Sequence, residues 1–267
     1  MSSILIIYTG GTIGMIRDEQ TGTLLPFDFE GIYDHMPILK KLPFQLDFHS
    51  FDPLLDSSNV NPDFWIHLAT IIESKYEHYD GFVVLHGSDT MAYSASALSF
   101  MLENLNKPVI FTGSQLPLGE IRTDGRENFL TAIEIAGAKE DDTPVVPEVC
   151  IYFENQLLRG NRTVKYNAEF FQAFVSGNYP TLADVGINIK FNKNHILKPN
   201  FKKLKVHKRL DDKVGIVKLY PGISNEMLKV SFSCKGLRAM IIETFGSGNA
   251  PTDPSFLNVL EKAVKRD

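Results

Sequence analysis

Thr12 stands in a setting that suits chemistry at a hydroxyl. The run Ile4–Met15 reads ILIIYTGGTIGM, a short apolar strand passing directly into Gly10, Gly11, Thr12 and Gly14. Glycine there lets the backbone turn sharply and approach a ligand closely. A second run, Gly81–Met91, repeats the plan as GFVVLHGSDTM: apolar strand, glycine, then Ser88, Asp89 and Thr90. Open α/β sheets bind ligands beyond the carboxyl ends of their strands, so two polar tips on one sheet predict a shared site. A hydroxyl is a weak nucleophile until a base or proton relay assists it. Taken alone, Thr12 also reads as a residue that turns a glycine loop. Asp89 falls at the predicted start of a helix, where unpaired N–H groups and the helix dipole favour a charged carboxylate. It could hold a ligand ammonium, orient a lysine, or simply cap the helix.

The elements that must position these groups alternate. Apolar strands are predicted at Ile4–Tyr8, Phe82–Leu85, Val109–Phe111, Val149–Phe153, Val214–Leu219 and Ala239–Ile242. They are short and rich in Val and Ile, as strands covered on both faces are. Helical spacing follows Asp89 and Thr90 through Met91, Ala95, Leu98 and Met101 as far as Asn104. Pro62 opens a helix to Tyr76, and Asp124 could cap another running to Ile135. The alternation predicts α/β architecture with a mostly parallel open sheet. Phe191–Asp212 is polar, basic and contains Pro199, and reads as a partly extended connector. The predicted organisation is an N-terminal catalytic domain (1–190), a linker (191–212) and the start of a smaller α/β domain (213–267) with helices near Ser224–Ser231 and from Pro254.

Composition excludes several classes. The chain has 267 residues, 43% of them hydrophobic, which allows a sizeable core in one or two domains. Its net charge of −5 gives no support for nucleic-acid binding. No apolar run approaches the ~20 residues needed to span a bilayer, and Ile4–Tyr8 is too short for a signal-peptide core; a soluble, cytoplasmic protein is expected. Cys150 and Cys234 lie far apart without metal or redox spacing, and both read as small buried hydrophobes. Seven histidines show no HxxxH or HExxH pattern, so no metal is expected. His86 reads as a satisfied structural histidine. GGTIG is neither GxGxxG nor GxxxxGK(S/T), leaving nucleotide binding with only generic support.

TGGTIG and HGSDTM together resemble the two signature blocks of the L-asparaginase (asparaginase/glutaminase) family. The resemblance continues through LDSSNV (55–60), TGSQLPL (112–118), RGNRTVK (159–165), YPGIS (220–224) and FGSGNAP (245–251), in order along nearly the whole chain. LDSSNV and RGNRT look like the cytoplasmic type I branch. The resemblance implies an amidohydrolase that converts L-asparagine to L-aspartate and ammonia through an acyl-enzyme on Thr12, without a cofactor. Ser88 matches the family's second catalytic hydroxyl, usually threonine; the exchange keeps the hydroxyl and loses the methyl that restrains its rotamer. Lys165 matches the lysine that pairs with Ser88 and Asp89. Asp56, Ser57 and Ser58 match the substrate loop, where Ser57 and Ser58 would read the α-carboxylate and Asp89 the α-ammonium; by spacing alone they form a polar turn before Pro62. Ser114 is a candidate for the pocket wall. Asn249 matches an asparagine that reaches the neighbouring subunit's site, implying a homodimer or a dimer of dimers.

Two departures stand out. Family members carry a lid tyrosine in the loop corresponding to Ile16–Phe29; here Thr23 and Leu24 stand near that place and the next tyrosine is Tyr33. Gly22 and its polar flanks still suit a mobile lid. The C-terminal α/β unit reads as thin, which suggests a fragment. Two other readings of the same fold are a non-catalytic or inactive amino-acid-binding fragment and a related glutaminase or amidase.

Overall fold

The computed structural model describes residues 2–17, 21–22, 24–26 and 32–265. The chain divides into two compact units, Met1–Lys208 and Arg209–Asp267.

The first unit is built on an eight-stranded sheet. Its strands lie in the order Phe44–Ser50, Ser2–Tyr8, Gly81–Leu85, Val109–Thr112, Val149–Phe153, Gln156–Arg159, Ala183–Val185 and Ile189–Phe191. The first five are mutually parallel, and each of the remaining three runs antiparallel to the strand before it. This is the mostly parallel α/β sheet that the alternating pattern predicts. The strand first in the chain lies second in the sheet, flanked by the second and third. The order therefore reverses at Ser2–Tyr8, and such a switch point opens a crevice at the carboxyl ends of the strands.

Both faces of the sheet are covered, because side chains alternate sides along a strand. Ile4, Ile6, Tyr8, Val83, Leu85 and Ile110 pack on one side with Phe129, Ala132, Ile133 and Ala136 of the helix Gly125–Gly137. Leu5, Ile7, Phe82, Val84 and Phe111 pack on the other with Leu68 and Ile72 of the helix Pro62–Lys75 and Ala95 and Leu98 of the helix Met91–Met101. The central strand Gly81–Leu85 is buried at every residue, so its run is apolar without interruption.

Several local expectations are corrected. Phe44–Ser50 is a strand that the search for continuous apolar runs passes over. It lies at the sheet edge, and only Phe44, Leu46 and Phe48 turn to the core, alternating with Gln45, Asp47 and His49. Asn61 caps the helix Pro62–Lys75 by accepting from the Phe64 N–H at 3.0 Å. Asp124 occupies the N-cap position of Gly125–Gly137 but makes no cap hydrogen bond. Its carboxylate accepts instead from the N–H groups of Gln115 and Leu116. The helix after Asp89 ends at Met101 rather than Asn104, whose φ of 62° turns the chain away.

The expected linker is not free over its first part. Asn200 and Phe201 donate backbone N–H groups to Asn106 Oδ1, and Lys205–Val206 pairs with Leu102–Glu103, so the first unit extends to Lys208. The second unit joins the parallel strands Val214–Lys218 and Ala239–Glu243 with the helices Asn225–Phe232 and Pro254–Val264, over a small core of Leu219, Leu228, Phe256 and Val259. Cys150 is buried as expected, whereas Cys234 is exposed, just beyond the helix Asn225–Phe232. Among the described residues no helix is long and apolar enough to cross a membrane.

Candidate active site

Three loops meet beyond the carboxyl ends of the strands at the switch point. Thr9 donates both its N–H and its hydroxyl to the Leu85 carbonyl at 3.0 Å, keeping the first and third strands joined to their tips. The Leu55 N–H donates to the Thr9 carbonyl at 2.9 Å and brings in the loop after the edge strand. Gly10 and Gly11 then take φ values of 129° and 91°, which residues with a Cβ rarely adopt. Space adds a second demand. A Cβ on Gly10 would lie 2.1 Å from the Leu55 carbonyl oxygen, one on Gly11 2.5 Å from the Gly87 Cα, and one on Gly87 2.5 Å from Ser57 Oγ. The first loop is pressed main chain to main chain against the other two, and Gly87 of the third meets the Ser57 side chain of the second.

Their polar tips border a cavity of about 290 Å³ lined by Thr12, Asp56, Ser57, Ser88 and Asp89, with Gly10, Gly11, Gly87, Met15, Leu54 and Leu55 as walls. The tips of the two glycine blocks thus border one cavity. Thr12 opens a short 3-10 turn, Thr12–Gly14. Thr90 donates its hydroxyl to the Ser57 carbonyl at 2.6 Å, tying the second and third loops together.

Lys165 reaches this cluster from a separate hairpin, Val164–Lys165 paired antiparallel with Phe174–Val175. Its Nζ donates to Ser88 Oγ at 2.8 Å and Asp89 Oδ1 at 2.7 Å. The lysine side chain is 15% exposed and that of Asp89 66%. The ammonium is largely withdrawn from solvent, while the carboxylate keeps an open side that could take a second cation. Asp89 is not the helix cap, because the helix starts at Met91 with Thr90 in the cap position.

His86 lies beneath the loop, buried between Phe64 and Phe111. Its Nδ1 is 2.7 Å from the Gly87 carbonyl, so it must carry the proton there. Nε2 then accepts from the Ser94 hydroxyl at 2.9 Å, and Ser94 Oγ accepts from the indole N–H of Trp65 at 3.0 Å. Burial pushes the imidazole down to about 4. A neutral ring with both nitrogens engaged is the structural histidine that its sequence context suggests.

Other predicted site residues of the first unit do not line the cavity. Ser58 is exposed, and its hydroxyl and N–H both donate to Asp56 Oδ1, at 2.7 and 2.8 Å. These bonds hold the Asp56 carboxyl below its ordinary range. Ser114 is buried and donates its hydroxyl to the Leu116 carbonyl at 2.5 Å, shaping its own loop rather than lining the cavity. Asn249 is exposed in the second unit, in a tight turn where its N–H and carbonyl both bond to Phe245. Part of the expected lid is a hairpin of Met15–Arg17 and Leu24–Pro26, while Thr23 lies outside the described residues. Tyr33 packs edge-on against Phe48 on the core side of the sheet edge. Gln115 was passed over within TGSQLPL, although its amide lies between Ser88 and the lysine hairpin.

Comparison with known proteins gives consistent likenesses. The family description "Asparaginase, N-terminal" matches residues 3–197, and "Glutaminase/Asparaginase C-terminal domain" matches residues 213–267. The chain is 44% identical to L-asparaginase 1 of Escherichia coli (strain K12) over 99% of its own length and 77% of that protein. It is 42% identical to the 60 kDa lysophospholipase of Mus musculus, over 98% of its own length and 50% of that protein. Among solved structures, L-asparaginase I from Vibrio cholerae superposes with a TM-score of 0.88 at 42% identity, covering 99% of this chain and 78% of that one.

Proposed function

The chain belongs to the asparaginase family, and from that premise we propose that its cavity hydrolyses L-asparagine to L-aspartate and ammonia with Thr12 as nucleophile. The observation that carries the reading is the Lys165 ammonium, held at once by Ser88 and Asp89 on the rim of the cavity that Thr12 lines. A hydroxyl nucleophile needs a partner to move its proton, and a lysine in contact with a second hydroxyl supplies one. The family match and the 44% identity to an L-asparaginase favour this reading over a glutaminase or another amidase.

In the first step Thr12 Oγ bonds to the side-chain amide carbon of asparagine. Lys165 Nζ gives a proton to the departing nitrogen, and the proton released by Thr12 replaces it by way of the Ser88 hydroxyl. The C–N bond breaks, ammonia leaves, and an aspartyl ester remains on Thr12. Water then bonds to the ester carbon by the same proton path, restoring the Thr12 hydroxyl and releasing aspartate. We assign the open side of Asp89 to the substrate's α-ammonium, and Ser57, on the turn that Asp56 caps, to the α-carboxylate, while the donors of Ser58 are taken up by Asp56. Asn249 is assigned to a neighbouring subunit's site in a homodimer or dimer of dimers in the cytoplasm.

The test is ammonia release from L-asparagine and L-glutamine by the wild type beside Thr12→Ala. Release from asparagine that is lost in the variant supports the assignment. No release from either protein refutes it, and equal release from both removes Thr12 from its role.

A further inference from the structure

Gln115 lies just outside the cavity and touches both halves of the Ser88–Lys165 pair's surroundings. Its Nε2 is 3.3 Å from the Ala168 carbonyl and 3.2 Å from the Phe170 carbonyl. Two carbonyls can face only the NH₂ end of an amide, so its orientation is fixed by its partners. The other end, Oε1, therefore faces Ser88 Oγ, at 3.5 Å. Ser88 already accepts from Lys165, so the direction left for its own proton is toward Gln115.

Ala168 and Phe170 belong to the turn of the hairpin that carries Lys165, closed by the Tyr166 and Asn167 N–H groups on the Ala173 carbonyl. Gln115 itself is anchored, because its N–H lies 3.1 and 3.0 Å from the two oxygens of Asp124. One amide thus links an anchored loop beside the central sheet to the hairpin bearing the lysine and to the hydroxyl the lysine touches.

We propose that Gln115 is a positioning residue that orients the Ser88 hydroxyl and braces the Lys165 hairpin during amide hydrolysis, an inference that rests on the reading of the cavity as a hydrolase site. Serine at position 88 has no methyl to restrict its χ1, so its direction must come from partners, and Gln115 supplies one.

The experiment compares steady-state kinetics on L-asparagine for the wild type, Gln115→Met, Gln115→Met with Ser88→Thr, and Thr12→Ala. Hydrogen exchange is followed at Tyr166, Asn167 and Ala173. Methionine keeps the side-chain length and removes both ends of the amide. Losing a polar contact of this kind costs the reaction about tenfold, so we expect kcat to fall about tenfold, KM to change by less than about threefold, and exchange in the 166–173 turn to quicken. Adding Ser88→Thr restores a restrained rotamer and recovers several-fold of the lost kcat. An unchanged kcat in Gln115→Met, or no recovery on adding threonine, overturns the inference while wild-type turnover and its loss in Thr12→Ala leave the hydrolase reading standing. A wild type that releases no ammonia overturns both.

Discussion

Acidification should weaken the first unit through His86, and the size of the effect follows from the geometry around the ring. The imidazole is 1% exposed and spends its one proton on the Gly87 carbonyl, while its second nitrogen accepts from Ser94. Charging it would place a cation among Phe64 and Phe111 and turn Nε2 from acceptor to donor, so burial lowers its value from 6.5 to about 4. The unfolded chain therefore binds the proton first as pH falls. The contribution of the neutral ring is fully present above pH ~6.5 and is lost progressively as pH falls toward 4. Between pH 7.5 and pH 5 the linkage amounts to a loss of about 2 kcal/mol. The protein carries its own reporter, because its single tryptophan, Trp65, donates to the same Ser94. Urea unfolding followed by Trp65 fluorescence at the two pH values should show this loss in the wild type. In His86→Gln, less stable at both values, the loss should shrink by about 2 kcal/mol, since carboxylates elsewhere titrate equally in both proteins. Equal losses in the two proteins would refute the neutral, buried imidazole.

Two further perturbations test the frame around the site. Gly11→Ala places a Cβ at a φ of 91° and 2.5 Å from the Gly87 backbone, so it should cost a few kcal/mol in unfolding and abolish ammonia release; wild-type kinetics would show that the loops do not need this contact. Glu148, buried, accepts from Arg159 Nε at 2.6 Å and from the Leu197 N–H at 2.8 Å. Glu148→Leu strands the Arg159 charge and should cost about 3 kcal/mol, lowering Tm by about 10 °C in a thermal melt. Replacing Arg159 with Met in the same protein should recover much of that loss.

The sheet was legible wherever burial on both faces forces a continuous apolar run, as at Ile4–Tyr8, Gly81–Leu85 and Val149–Phe153. It was not legible at Phe44–Ser50, where half the positions face away from the core and, among the described residues, no strand pairs beyond it. Residues able to bond in several directions were harder still. Asp124 sits where a cap belongs, yet the N–H groups of Gln115 and Leu116 in the loop before the helix claim its carboxylate. The Ser58 hydroxyl turns to Asp56 rather than the cavity. Spacing names the candidate partners of a polar side chain but not which of them wins, because loop geometry and segments remote in sequence compete for the same group. Gln115 was missed for this reason: its significance lies in the carbonyls of Ala168 and Phe170, more than 50 residues along the chain.

The two parts of the site are held in physically different ways, and they should fail differently. Thr12, Ser57 and Ser88 stand on loops that leave three adjacent strands; Gly10 and Gly11 meet the backbones of the other two loops, and Gly87 meets the Ser57 side chain. At Gly10 and Gly11 no side chain can be trimmed to loosen the contact; it is lost when an atom is added, and then the cavity itself is displaced. Lys165 comes from a short hairpin outside the main sheet, held toward the cavity by its bonds to Ser88 and Asp89 and by Gln115 at its turn. A side chain can be removed from that arm and leave the cavity intact. Damage to the glycine contacts should therefore abolish binding and turnover together, whereas damage to the arm should spare binding and slow the proton transfers that depend on where the lysine points.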